Sequence, residues 1–74
     1  MEPLPHLREW REHQSFGQRE IARLAGVNQA TLYNLEVLGR PAQPKTVRLL
    51  ARALGITVQQ LRQAPPDNEM GPQP

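Results

Sequence analysis

Side chains capable of covalent or acid–base chemistry are scarce in this 74-residue chain. Ser15 is the only serine, and neither His6 nor His13 has an acid or a nucleophile placed beside it. A nucleophile needs an adjacent base, and no glycine-rich phosphate loop is present, so we expect no catalytic residue and no enzyme. No third ligand accompanies the two histidines, so we expect no metal and no cofactor. Trp10 could stack on a base, but its position on an apolar helical stripe favours a core residue.

The polar side chains that could bind a partner lie in the stretch QREIARLAGVNQATLYNLE, residues 18–36. Its first half carries an apolar stripe at helical spacing, formed by Ile21, Ala22, Leu24 and Ala25. The stripe stops at Gly26, which can adopt the left-handed conformation that ends a helix. Asn28 then offers its side chain as N-cap of a second helix, with Leu32 and Leu35 facing inward. The pattern predicts a helix-turn-helix, although two ordinary core helices joined by a glycine would produce part of it.

Position by position, the stretch resembles the helix-turn-helix of the Cro and phage-repressor type, the XRE family. The matching positions are Gln18 at the start of the first helix, Ala22 at the helix crossing, Gly26 in the turn, and Leu32, Leu35 and Glu36 at the end of the second helix. The segment PKTVRLLARALGITVQQL looks like the family's fourth and fifth helices, which extends the resemblance to about residues 7–61. The resemblance implies an all-α, five-helix, lambda-repressor-like fold that binds double-stranded DNA. Gly17, where the family usually has serine or threonine, and the proline-broken loop 37–44 depart from the pattern.

The second helix of the motif, about residues 28–37, is the expected recognition helix. In a helix-turn-helix this helix enters the major groove, and its N-terminal residues face the base edges. The expected base contacts are the outward positions Gln29, Ala30, Thr31, Tyr33 and Asn34. Gln29 can make a bidentate contact to adenine, and Ala30 or Thr31 can pack on a thymine methyl group. The alternative for these residues is a polar helix face that is merely solvated.

The recognition helix contains no basic residue, so attraction to DNA must come from its neighbours. The family uses the glutamine at the start of the first helix to contact a phosphate, which implies that role for Gln18. The geometry of the family's complexes with DNA also implies phosphate contacts from four other residues of this chain: Arg19, Asn28, Arg40 and Lys45. All nine basic side chains lie between residues 8 and 62 with only four acidic ones, a net charge of +5 that favours a polyanionic partner.

The resemblance also implies one structural ion pair, between Arg11 in the first helix and Glu36 at the end of the recognition helix. We hypothesise that this pair fixes the angle at which the recognition helix is presented to DNA.

The domain is expected to span residues 1–63, followed by a disordered, proline-rich tail, residues 64–74. The chain has no cysteine and no apolar run long enough to cross a bilayer, which fits a cytoplasmic, nucleoid-associated protein without a membrane partner.

The sequence therefore predicts a sequence-specific transcriptional regulator, most simply a repressor, that binds DNA as a homodimer. Leu61 and the region around the fifth helix are the suspected dimer interface. The alternative is an antitoxin or a helical protein-interaction adaptor, which would need neither Gln29 nor Asn34.

Overall fold

The computed structural model describes residues 1–66, and the regular structure in that range is helical. The five helices are α1 (Leu7–His13), α2 (Gln18–Ala25), α3 (Gln29–Glu36), α4 (Pro44–Leu54) and α5 (Val58–Leu61). The all-α, five-helix fold is thereby confirmed. Of the tail predicted to be disordered, residues 64–66 belong to no helix, and residues 67–74 lie outside the described residues.

The turn between α2 and α3 depends on one glycine. Gly26 is left-handed, with φ 74° and ψ 31°, and the N–H of Val27 donates to the carbonyl of Ala22 at 2.9 Å to close α2. Asn28 is then extended and precedes α3 as its N-cap. Its side chain makes no capping hydrogen bond, so that part of the prediction is wrong; the Asn28 backbone carbonyl accepts the N–H of Thr31 at 3.0 Å instead. The hydrogen bonds of the turn are therefore formed between backbone groups, and the side chain of Val27 packs against the core.

The core is formed where α2 packs against both α3 and α4. Ile21, Leu32 and Leu50 are fully buried, and the small side chains of Ala22 and Ala51 are buried among them, which permits close helix packing. Leu24 was predicted to join this stripe, but it is 57% exposed. At 100° per residue it lies roughly 100° from the centre of the buried face of α2, which a short helix cannot bury all round.

The first and last helices are joined through Trp10. Its side chain is buried, and Nε1–H donates to the backbone carbonyls of Gln60 at 3.1 Å and Gln63 at 2.7 Å. Leu61 is 0% exposed in the same core. The prediction that Leu61 lies in a dimer interface is therefore wrong, because its side chain is buried in the core of its own chain.

The residues before α1 are hydrogen-bonded to the loop that follows α3. Glu2 and Ala42 exchange two backbone hydrogen bonds, of 2.9 and 2.6 Å, in an isolated antiparallel bridge. The Glu2 carboxylate also accepts two bonds of 2.9 Å from the guanidinium of Arg62, beyond α5. One residue near the chain start thus connects the α3–α4 loop to the end of the last helix.

Candidate nucleic-acid interface

The outward face of α3 carries the residues that were predicted to contact bases. Gln29 and Ala30 are exposed, Tyr33 is 49% exposed, and Thr31 and Asn34 are half-buried at one edge of the face. Leu32 and Leu35 point into the core and hold the helix against α2 and α1. The structure therefore presents these five side chains together on one side of a buried helix.

A depression of about 340 Å³ lies beside this face, between α3 and the α3–α4 loop. Thr31 and Asn34 line it from the helix, and Arg40 lines it from the loop. Two further polar residues line it, Gln43 and Thr46. No motif predicted them, because the fold of the loop brings them close to α3. Arg40 is thus brought next to the recognition helix, at the edge formed by Thr31 and Asn34.

The opposite edge of α3 is held by a buried ion pair between Arg11 and Glu36. Nε and Nη2 of Arg11 donate to the two carboxylate oxygens of Glu36, both at 2.8 Å. The remaining Arg11 nitrogen, Nη1, donates to the carbonyl of Phe16 at 2.9 Å, in the turn between α1 and α2. The side chains of Arg11 and Glu36 are only 10% and 1% exposed. The pair therefore joins α1, the following turn and the end of α3.

Gln18 completes this cluster, because its side-chain Nε2 donates to Glu36 Oε1 at 3.1 Å. The phosphate contact predicted for Gln18 stays a prediction, since the described partner of its amide group is a carboxylate within the protein. The same bond brings the start of α2, and with it Arg19, to the Glu36 edge of α3.

Burial by itself would raise the pKa of Glu36, but the hydrogen bonds from Arg11 and Gln18 and the positive charge of Arg11 outweigh it and hold this pKa below its ordinary value. The bond to Glu36 likewise raises the pKa of Arg11. Both groups are therefore charged at neutral pH. The Glu36 carboxylate accepts hydrogen bonds from Arg11 and Gln18, and Arg11 also donates to the carbonyl of Phe16.

The basic side chains divide into a paired and an unpaired group. Arg8 pairs with Glu12, Arg11 with Glu36 and Arg62 with Glu2. Within residues 1–66 no ion pair is formed by the other six, which all lie on α2, the α3–α4 loop or α4: Arg19, Arg23, Arg40, Lys45, Arg48 and Arg52. The residual positive charge is thus concentrated on the elements that flank α3.

The residues predicted to contact phosphates are spread around the two ends of α3. Arg19 lies in the first turn of α2, and the exposed Asn28 immediately precedes α3. Arg40 and Lys45 follow α3, in the loop and in the first turn of α4, and both are exposed. The structure therefore places these four on consecutive segments around the recognition helix.

Val37 is a surface residue for which no DNA contact was predicted, although it closes the expected recognition helix. Its backbone is helical, with φ −93° and ψ −44°, and its side chain is 53% exposed. Ala30, Tyr33 and Val37 stand at i, i+3 and i+7, and this spacing in the sequence is the signal that could have assigned Val37 to the outward face of α3.

The arrangement is that of a helix-turn-helix, with α2 as its first helix and α3 as its recognition helix. The chain belongs to the helix-turn-helix family of the Cro and phage-repressor type, also called the XRE family, whose sequence model matches residues 7–61. It is accordingly a DNA-binding regulator, in a family that is not typically enzymatic. Comparisons with curated proteins and with solved structures gave no significant match.

Two further properties concern the described part of the chain. None of the helices within residues 1–66 has the length and hydropathy needed to cross a membrane. The same residues contain no group of three or more histidine, aspartate or glutamate side chains arranged to hold a metal ion.

Proposed function

We propose that this protein is a sequence-specific transcriptional repressor that inserts α3 into the major groove of double-stranded DNA and occludes a promoter. The observation that carries the proposal is the division of charge. The outward face of α3 is uncharged, while the six basic residues without an ion pair in residues 1–66 lie on the flanking elements. Phosphates surround a groove whose floor is formed by bases, so this arrangement matches DNA.

In this proposal the base contacts come from Gln29, Ala30, Thr31, Tyr33 and Asn34. Gln29, at the first position of α3, is suited to a bidentate contact with adenine, and Asn34 can bond a base edge from the other side of the helix. The N-terminal position of Gln29 favours it as the main reader, because the start of a recognition helix comes nearest to the bases.

The phosphate contacts come from Gln18, Arg19, Asn28, Arg40 and Lys45. Arg19 and Arg40 flank opposite edges of α3, since Gln18 ties the start of α2 to Glu36 and Arg40 lines the depression with Thr31 and Asn34. Two strands of phosphates border the groove, so cations on both sides of the helix fit its two walls. These residues supply affinity, and α3 supplies selectivity.

The repressor acts as a homodimer in this proposal, on two half-sites about 34 Å apart and associated with the nucleoid. One such domain makes few base contacts, and two-fold pairing is how the motif usually gains affinity. The interface must use residues other than Leu61, which is buried.

The proposal is tested by selecting bound sequences from a random pool of duplex DNA and repeating the selection with Gln29→Ala. We expect the natural protein to enrich one sequence, and the variant to lose the preference at one base position while its affinity for random DNA changes little. Glu12→Gln, at an exposed residue on α1, is the control and is expected to leave the enriched sequence unchanged. A selection in which the natural protein enriches no sequence would contradict the proposal.

A further inference from the structure

The loop between α3 and α4 carries Arg40, and its middle part, residues 38–42, has few hydrogen bonds. Within the described chain these residues take part in three backbone hydrogen bonds. In one of them the N–H of Arg40 donates to the carbonyl of Asn34 on α3 at 3.0 Å, and the other two join Ala42 to Glu2. Apart from the buried Ala42, the same residues are exposed. The bridge to Glu2 is therefore the main hydrogen-bonded restraint on this loop from outside α3.

The segment before α1, residues 1–5, is itself held in several places. Leu4 is 2% exposed and belongs to the core. The carboxylate of Glu2 accepts two hydrogen bonds of 2.9 Å from the guanidinium of Arg62, beyond α5. Met1, on the other side of Glu2, lines the depression beside α3. The bridge thus connects the loop to the core and to the end of the last helix.

A carboxylate is unexpected so close to a loop that is proposed to contact phosphates. Glu2 is bonded to a residue two positions from Arg40, and an unpaired negative charge there would repel DNA. The hydrogen bonds from Arg62 hold the pKa of Glu2 below its ordinary value, so the carboxylate is charged and paired at neutral pH. An exposed ion pair of this kind adds little to the free energy of unfolding. Its clearer effect is to orient Glu2 toward the loop.

We propose that Glu2 is a positioning residue for DNA binding. Its bridge to Ala42 fixes the α3–α4 loop and keeps Arg40 beside the recognition helix before DNA binds. The inference rests on the proposed function, in which Arg40 contacts a phosphate. A loop that is ordered in advance loses less conformational entropy when it binds. The entropy of fixing the backbone of one residue corresponds to about tenfold in affinity.

Glu2→Gln distinguishes positioning from a simple effect of charge. The variant loses one negative charge, so electrostatic attraction alone would make it bind DNA more tightly. We expect the opposite, about threefold weaker binding to the selected duplex, because the ion pair that orients Glu2 is lost. Glu12→Gln, which removes the exposed partner of Arg8 with the same change in charge, is the matched control and should bind at least as tightly as the natural protein. Fluorescence anisotropy of a labelled duplex with the full chain measures both affinities.

Ala42→Pro breaks the bridge from the side of the loop. Proline has no N–H to donate to the carbonyl of Glu2, and its ring occupies the position of that N–H. We expect about tenfold weaker binding to the selected duplex. In an Arg40→Gln background the same substitution should cause little further loss, because its effect passes through Arg40. Equal losses in the two backgrounds would overturn the inference.

Hydrogen exchange followed by NMR tests the order of the loop in the absence of DNA. The backbone N–H of Arg40, which donates to Asn34, should exchange faster in Ala42→Pro than in the natural protein. The N–H of Leu50, on the buried face of α4, reports global unfolding and is the reference in both proteins. An Arg40 exchange rate that does not change relative to Leu50 would overturn the inference.

The results separate this inference from the proposed function. If Glu2→Gln binds as tightly as Glu12→Gln, the inference is overturned and sequence-specific binding is left intact. Should Ala42→Pro fail to fold, the comparison of Glu2→Gln with Glu12→Gln still decides. If the natural protein enriches no DNA sequence at all, the proposed function fails, and this inference fails with it.

Discussion

At position 36 a carboxylate that is almost completely buried accepts hydrogen bonds from Arg11 and Gln18. Glu36→Gln removes the negative charge and leaves the buried guanidinium of Arg11 without a counter-charge. We expect it to lower the free energy of unfolding by about 3 kcal/mol, the usual effect of breaking a buried pair. Urea denaturation followed by circular dichroism measures this change, and the melting temperature should fall with it.

Glu36 also makes the free energy of unfolding depend on pH. Because the pKa of Glu36 is lower in the folded than in the unfolded chain, its contribution is fully present above the unfolded value of 4.5 and is lost as the pH falls through the folded value. Glu36→Gln should therefore flatten the loss of stability below about pH 4.5. Glu12→Gln, which removes the exposed partner of Arg8, is the control and should change stability by less than about 1 kcal/mol. An equal loss in both variants would contradict a special role for Glu36.

The resemblance to the family implied the partners Arg11 and Glu36, because both positions belong to the matched pattern. It did not indicate that Gln18 donates to the same carboxylate, or that Arg11 reaches the carbonyl of Phe16. These contacts depend on how α2 is placed against α1 and α3, which spacing along the chain does not determine.

The turn between α2 and α3 requires the left-handed conformation of Gly26. Gly26→Ala is expected to destabilise the domain by about 1 kcal/mol, because a Cβ at φ 74° is strained even though no atom lies within 4 Å of its position. Gly17→Ala is the matched control: its φ of −81° is ordinary for any residue and its surroundings are equally open. Thermal unfolding of both variants measures the difference. Equal melting temperatures would contradict a turn set by backbone conformation.

The helices were largely predictable because their ends carry local signals. Glycine ends α2 and α4 in the left-handed conformation, Pro44 begins α4, and the side chain of Thr57 caps α5 by accepting the N–H of Gln60 at 3.0 Å. Two predictions about single side chains were wrong, because the local sequence allows each side chain either to contact the protein or to remain in solvent. Leu24 fits an apolar stripe by spacing yet lies outside the packed face, and Asn28 precedes α3 without using its side chain as a cap.

Over the whole molecule, the contacts that close the fold join distant parts of the chain and were not predictable. Glu2 pairs with Ala42 and Arg62, and Trp10 donates to carbonyls beyond residue 59. No periodicity or motif marks an isolated bridge of this kind. The Glu2–Ala42 bridge joins the α3–α4 loop, which also carries Arg40, to the residues before α1.

In the proposed function, α3 selects the DNA sequence while the flanking cations supply most of the attraction. The salt dependence of the dissociation constant, measured on the selected duplex and on a random duplex, tests this division of roles. We expect Arg40→Gln to reduce the slope of log affinity against log salt by about 0.9 on both duplexes, the value of one phosphate contact.

Two comparisons in the same salt series complete this measurement. Arg8→Gln, at an arginine paired with Glu12 on α1, should leave the slope unchanged, and Gln29→Ala should weaken binding to the selected duplex without changing the slope. We expect the salt slope to change only with Arg40→Gln and the preference for the selected duplex to change only with Gln29→Ala. A natural protein whose affinity does not depend on salt, or an Arg40→Gln variant with the natural slope, would contradict this division of roles.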